Sequence, residues 1–127
     1  MFYYEAARYG SNDEFTFSEF EDFNFPLHLH RCFELIYIKE GYLTVNVDNE
    51  TQAVSKNKLV LIFPNQVHSY KTLEHSKGFV CIFSPEYVSM FYQHCKNKRQ
   101  TNMISQLKTE TSEFVLKTYR IAKTICF

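Results

Sequence analysis

Two histidines, His28 and His30, stand one residue apart. Glu34 follows, and a third imidazole, His68, lies beyond a second apolar run. Imidazole nitrogen with carboxylate oxygen is a donor set that Zn, Ni, Mn and Fe accept. In a strand His28 and His30 point to one face, and Glu34 shares their parity if the strand runs unbroken. The four are therefore candidates for a metal site, for the polar lining of an unmetallated cavity, or for partner-bonded histidines near a rim. Other chemistries find no support: the chain holds no GxSxG, no HExxH and no Gly-rich phosphate loop. Ser69 faces away from its neighbour His68. Cys32 shares the parity of His30 but lacks a third group to orient a Cys–His pair. No catalytic residue is expected, and His75 and His94 read as surface residues.

The elements that must position these groups are mostly strands. The chain has 127 residues, 13 Phe and 9 Tyr, enough for one domain with a real core. Its 14 basic and 14 acidic residues cancel, so a phosphate backbone is not the expected partner. Cys32, Cys81, Cys95 and Cys126 show no CxxC spacing. With no signal peptide and no apolar run of membrane-spanning length, the expectation is reduced thiols in a soluble, cytoplasmic protein without membrane contact.

Residues 1–13 end in the turn-like Gly10-Ser-Asn-Asp13 and read as an arm or short strand. Alternation predicts strands at Phe15–Phe20 and Phe23–Phe25. The apolar run Phe33–Ile38 suggests a strand covered on both faces. After Lys39-Glu40-Gly41, Leu43, Val45 and Val47 alternate with Thr44, Asn46 and Asp48, and Asp48-Asn49-Glu50 turns a hairpin. Further strands follow at Leu59–Phe63, Val67–Leu73 and Gly78–Phe83. About eight short strands with regular turns point to a sandwich or jelly roll.

The period then changes. Ser84-Pro85-Glu86 is a helix start, with Tyr87, Val88 and Phe91 on one face. Lys96–Asn102 reads as a solvated connector. A second helix is expected from about Met103, and firmly from Ser112. Its apolar stripe is Phe114, Val115, Thr118, Tyr119, Ile121, Ala122 and Ile125. The stripe still runs at Phe127 with no glycine cap, so the chain is expected to be cut from a longer protein. The division is a barrel with N-terminal arm over 1–84 and a helical extension of the same domain over 85–127.

The residues His28-x-His30-x3-Glu34-x6-Gly41 resemble the first signature of the cupin superfamily at every position. The second signature is looser: Asn57 stands for its opening glycine, Phe63 for its first proline and Asn65 for its middle glycine, while His68 matches. That relaxed form, with Phe25-Pro-Leu-His-Leu-His30, Phe33-Glu-Leu-Ile-Tyr37 and Leu59–Tyr70, resembles the N-terminal cupin domain of AraC-type transcriptional regulators. The resemblance covers residues 5–90 and extends through the trailing helices.

It implies a mainly β fold: a cupin-like jelly-roll barrel followed by two C-terminal helices. It further implies a domain that senses a small effector, a sugar or related metabolite, and forms a homodimer. DNA would be met only through a helix-turn-helix domain not in this chain. The expected ligand-binding residues are His28, His30, Glu34, Tyr37, His68 and Phe83. The expected dimerisation residues are Phe114, Thr118, Tyr119, Ile121, Ala122 and Ile125. No cofactor is expected unless a divalent Zn, Ni, Mn or Fe sits on His28, His30, Glu34 and His68. The alternative is a stand-alone metal-dependent cupin enzyme of dioxygenase, isomerase or epimerase type.

Overall fold

A strand buried on both faces must have neighbours on both edges and cover on both sides, and the start of Phe33–Val47, from Phe33 to Ile38, meets that demand. The computed structural model describes residues 3–4, 15–95 and 104–106. Among them nine strands form: β1 Tyr3–Tyr4, β2 Phe15–Glu21, β3 Phe25–Leu29, β4 Phe33–Val47, β5 Glu50–Ser55, β6 Lys58–Ile62, β7 His68–Lys71, β8 Ser76–Phe83 and β9 Ile104–Gln106. The two strands expected on either side of Lys39-Glu40-Gly41 are one continuous strand, β4, of 15 residues.

It stays continuous because it bends instead of turning. The register slips between Ile38 and Glu40, and Gly41 takes a φ of +69°. A Cβ at Gly41 would lie 2.1 Å from the His75 carbonyl oxygen, so both the conformation and the space require glycine. Before the bend β4 pairs with β6 and β8, with β2 beyond β8 and β9 beyond β6. After it β4 pairs with β5 and β7, with β3 beyond β7 and β1 beside β3. One curled sheet thus becomes two leaves: leaf I (β1, β3, β7, β5 and the end of β4) and leaf II (β2, β8, β6, β9 and the start of β4).

The core lies between them. Leu43, Val45, Val47 and Val54 from leaf I meet Ile36, Val60, Ile62 and Ile82 from leaf II in one buried cluster. Each such aliphatic side chain contributes roughly 1.5–3 kcal/mol by leaving water. The opposite face of leaf II is apolar as well. Phe33, Tyr37 and Phe79 are buried there, with Phe33 stacked on Phe83 at 5.5 Å and Tyr37 on Phe79 at 5.2 Å. The outer face of leaf I instead carries Thr44, Asn46 and Thr51, and Asn46 donates to the Thr51 hydroxyl at 2.6 Å.

The turns explain two departures from the cupin signature. Asn57 and Asn65, which stand for glycines, both have a φ of +66°. Asparagine is among the side-chain-bearing residues that best tolerate this left-handed region, so the backbone path survives the substitution. Asp48 and Asn49 (φ 49° and 70°) make the β4–β5 hairpin turn in the same way.

After β8 the chain enters a 3-10 turn, Pro85–Val88, and the short helix α1, Ser89–Cys95. Ser84 holds the N-cap position with extended backbone, but its hydroxyl makes no cap bond. The expectation of a helix from about Met103 is corrected: Ile104–Gln106 is strand β9, antiparallel to β6. The exposed edge of β6 takes a partner, and strand pairing there overrides the local pattern. The arm residues other than Tyr3 and Tyr4, the connector 96–102 and the helix from Ser112 lie outside the described residues. No helix among the described residues is long and apolar enough to cross a membrane.

Candidate functional site

His28 is on β3, His30 one residue past its end, Glu34 on β4 and His68 on β7. The strand does not run unbroken from His28 to Glu34, since residues 30–32 turn out of it. Glu34 arrives instead on leaf II, facing the core opposite Ile62 and Ile82. His28 and His68 are direct cross-strand partners on leaf I. The two leaves thereby bring all four together: ligand atoms of His28, His30, Glu34 and His68 lie within 4.8 Å of one another, and all four residues are buried.

Each imidazole is oriented through its Nδ1. His28 Nδ1–H donates to the Pro26 carbonyl at 2.8 Å, His30 Nδ1–H to that of Cys32 at 3.0 Å, and His68 Nδ1–H to that of Gln66 at 2.8 Å. A carbonyl only accepts, so Nδ1 carries the proton and Nε2 is the lone-pair nitrogen of each neutral ring. The contact of His30 with Cys32 is thus to its backbone, not its thiol. The surrounding loops are tied down too. Asn65 N–H donates to the His30 carbonyl at 2.8 Å. Asp48 accepts from the Gln66 amide and the Val67 N–H, which fixes the approach to His68.

Glu34 is the hub. Its Oε2 lies 2.9 Å from His30 Nε2 and 3.4 Å from His68 Nε2, and its Oε1 accepts from the Tyr70 hydroxyl at 2.7 Å. Burial pushes this carboxyl up, but hydrogen bonds from His30 and His68, made when their Nε2 atoms carry a proton, and from the Tyr70 hydroxyl outweigh it. Glu34 is held well below the usual carboxylate range. His28 moves the other way for a histidine: burial, then the His68 ring beside it, push it down to about 4. Two lone-pair atoms as close as His30 Nε2 and Glu34 Oε2 need a positive charge between them, either a proton or a metal ion. Three Nε2 atoms, one carboxylate and Nδ1–H groups committed to carbonyls fit a divalent transition metal.

Beside the cluster lies a cavity of about 370 Å³, reached by His28, Glu34 and Tyr70. Phe23, Phe25, Val80 and Ile82 form its apolar wall, and the exposed Thr16 and Ser18 of β2 complete the lining. His30 and His68 are not part of this lining but lie against Glu34, 2.9 Å and 3.4 Å from its Oε2. Tyr37 and Phe83 are not brought to the cavity. Alternation along β4 and β8 turns both to the outer face of leaf II, where the Tyr37 hydroxyl donates to Asn57 at 2.9 Å. Tyr70 was missing from the expected set although its parity with His68 could have found it. The residues expected to mediate dimerisation, Phe114, Thr118, Tyr119, Ile121, Ala122 and Ile125, lie outside the described residues.

A family model, the AraC-like ligand binding domain, matches residues 14–112. Among curated proteins no match is found. Among solved structures, ToxT from Vibrio cholerae aligns with a TM-score of 0.56 at 10% identity, over 82% of this chain and 46% of that one. A conserved protein of unknown function from Streptococcus pyogenes aligns at 0.55 and 16% identity, over 61% and 69%. An RmlC-like cupin family protein with a double-stranded β-helix fold from Methanocaldococcus jannaschii aligns at 0.51 and 14%, over 64% and 78%. At these identities the likeness is one of fold alone, and the match spans less than half of ToxT.

Proposed function

We propose, from the premise that this chain belongs to the AraC-like ligand binding domain family, that it is the effector-sensing and dimerisation part of an AraC-type transcriptional regulator. Such a regulator works in the cytoplasm and meets DNA through a helix-turn-helix domain outside these 127 residues. The observation that carries the reading is the 370 Å³ cavity, its size within the range of small-molecule sites, with apolar walls and His28, Glu34 and Tyr70 at one end. A sugar or related small metabolite is the effector class. His28 and Glu34 contact it, while His30 and His68 hold Glu34 in place.

The segment carrying Phe114, Thr118, Tyr119, Ile121, Ala122 and Ile125 pairs two copies through its apolar stripe. An effector acts by preferring one arrangement of the pair, since a ligand shifts a population only by its differential affinity. The test is a thermal-shift screen of sugars and metabolites. A compound at 100 times its Kd raises stability by about 2.7 kcal/mol, and a screen in which no compound moves Tm would overturn the effector reading.

The cluster adds a second element. His28, His30, Glu34 and His68 would hold a divalent transition metal. When bound, such an ion polarises an oxygen ligand and lowers the pKa of its water. The chain's own part is to fix three imidazoles by their Nδ1–H bonds and to exclude water from Glu34. The same donor set supports the alternative, a metal-dependent cupin enzyme, and turnover of a cavity-bound compound only in metal-loaded protein would favour it over a sensor.

A further inference from the structure

We propose that Tyr70 is a positioning residue for the metal, acting through Glu34; this rests on the reading of the His28, His30, Glu34 and His68 cluster as a metal site. Rotation of a glutamate carboxylate about its last bond is broad and two-fold, so packing alone selects its direction weakly. The Tyr70 hydroxyl, donating to Oε1 at 2.7 Å, selects it firmly and thereby sets where Oε2 lies. That is the oxygen found 2.9 Å from His30 Nε2 and 3.4 Å from His68 Nε2.

Tyr70 can do this because it is itself immobilised. It is 3% exposed, it stacks on Phe23 at 4.9 Å, and it pairs in register with Val45 on one side and Phe25 on the other. The hydroxyl position is thus set by strand pairing rather than by side-chain choice. Tyr70 and Glu34 also both line the cavity, so their bond is within reach of whatever occupies it.

The experiment titrates Co(II) into the metal-stripped chain, wild type and Tyr70→Phe, and follows heat and the visible absorption of the ion. The phenylalanine keeps the ring against Phe23 and removes only the donor. Co(II) affinity is expected to fall by about 10- to 100-fold, the usual effect of losing a partner that orients a metal ligand, with altered absorption bands. Thr72→Val is the control. It removes a hydroxyl bonded to the Phe23 carbonyl and to Ser76, both at 2.7 Å, without touching Glu34. It should lower Tm and leave Co(II) affinity unchanged.

Equal affinity in wild type and Tyr70→Phe overturns the proposal, as does an equal loss in Thr72→Val. A wild-type chain that takes no Co(II) overturns the metal reading beneath it, a different failure. Should Tyr70→Phe not fold, the wild type still decides through the Tyr70 hydroxyl proton. Slow exchange of that proton retained in the Zn-loaded protein, observed by NMR, supports the assignment, and its loss on loading overturns it.

Discussion

The chain assembles histidine with acid in two places, and the two behave oppositely. In one, His28, His30, Glu34 and His68 converge between the leaves; in the other, Glu21, Asp22 and His75 gather at the bend of the sheet. Both combine histidine with carboxylate, and in both the ligand atoms lie within 4.8 Å of one another. The difference lies in what the second nitrogen of each ring does. In the buried cluster every Nδ1–H is spent on a backbone carbonyl, so the Nε2 atoms are left to the centre. His75 instead places Nδ1 3.0 Å from Asp22 and Nε2 3.6 Å from Glu40, while Lys77 sits 3.9 Å from Glu21 and 3.8 Å from Glu40. Those charges satisfy one another in solvent. In the buried cluster the ring nitrogens and the carboxylate face one another, oriented by their bonds to the backbone and to Tyr70.

The comparison breaks most visibly at its hub. Glu34→Ala removes the acceptor of His30, His68 and Tyr70 inside a buried site. Leaving such partners uncompensated costs about 3–5 kcal/mol, to be read as a lower urea midpoint at unchanged m-value. A loss below about 1 kcal/mol would mean that these bonds do not hold the leaves together.

Acid is the next lever. His28 has a folded value of about 4 against an ordinary 6.5. Between those values the unfolded chain takes up a proton that the folded chain refuses. Its contribution is therefore fully present above about 6.5 and lost as pH falls toward 4. Glu34, held below its ordinary value, contributes above that value and loses its share as pH falls further. Stability should decline from pH 6.5 to 4 with a slope of about 1.4 kcal/mol per pH unit for each proton involved. His28→Gln should flatten that slope in urea unfolding at stepped pH, and an unchanged slope would remove His28 as its source.

Legibility from sequence follows the range of the interaction. The strands were readable because alternation is local, and the family resemblance rests on residues within one stretch. The four cluster residues were readable too, though Glu34 came by another route than shared parity: a turn at residues 30–32 moves it to the opposite leaf. The outward placement of Tyr37 on β4 follows a rule that was available, since three residues from Glu34 is the opposite face.

 Tyr70 obeys the same rule from His68, two residues on. What no local pattern carries is which edges meet when the sheet curls. Thr16, Ser18, Phe23 and Phe25 reach the cavity only because β2 and β3 end on facing leaves. The start of β9 was hidden for a related reason, since its partner β6 lies more than forty residues earlier.

The smallest expected effect sharpens the comparison from the exposed side. His75→Ala deletes both ion-pair contacts of the His75 ring, to Asp22 and Glu40, but keeps the His75 backbone carbonyl, which accepts from Tyr42 N–H at 3.0 Å and packs against Gly41. His75, Asp22 and Glu40 are each roughly half exposed, so solvent screens what their side chains gain. Exposed pairs of this kind contribute about 0.2–1 kcal/mol, and the urea midpoint should move no further than that allows. Co(II) stoichiometry should not change at all, because the ion is expected only where the Nε2 atoms converge. A variant that lost a bound ion, or lost several kcal/mol, would show that the exposed cluster does the work assigned here to the buried one. The contrast between locked and self-satisfied histidines would then no longer separate a site from a staple.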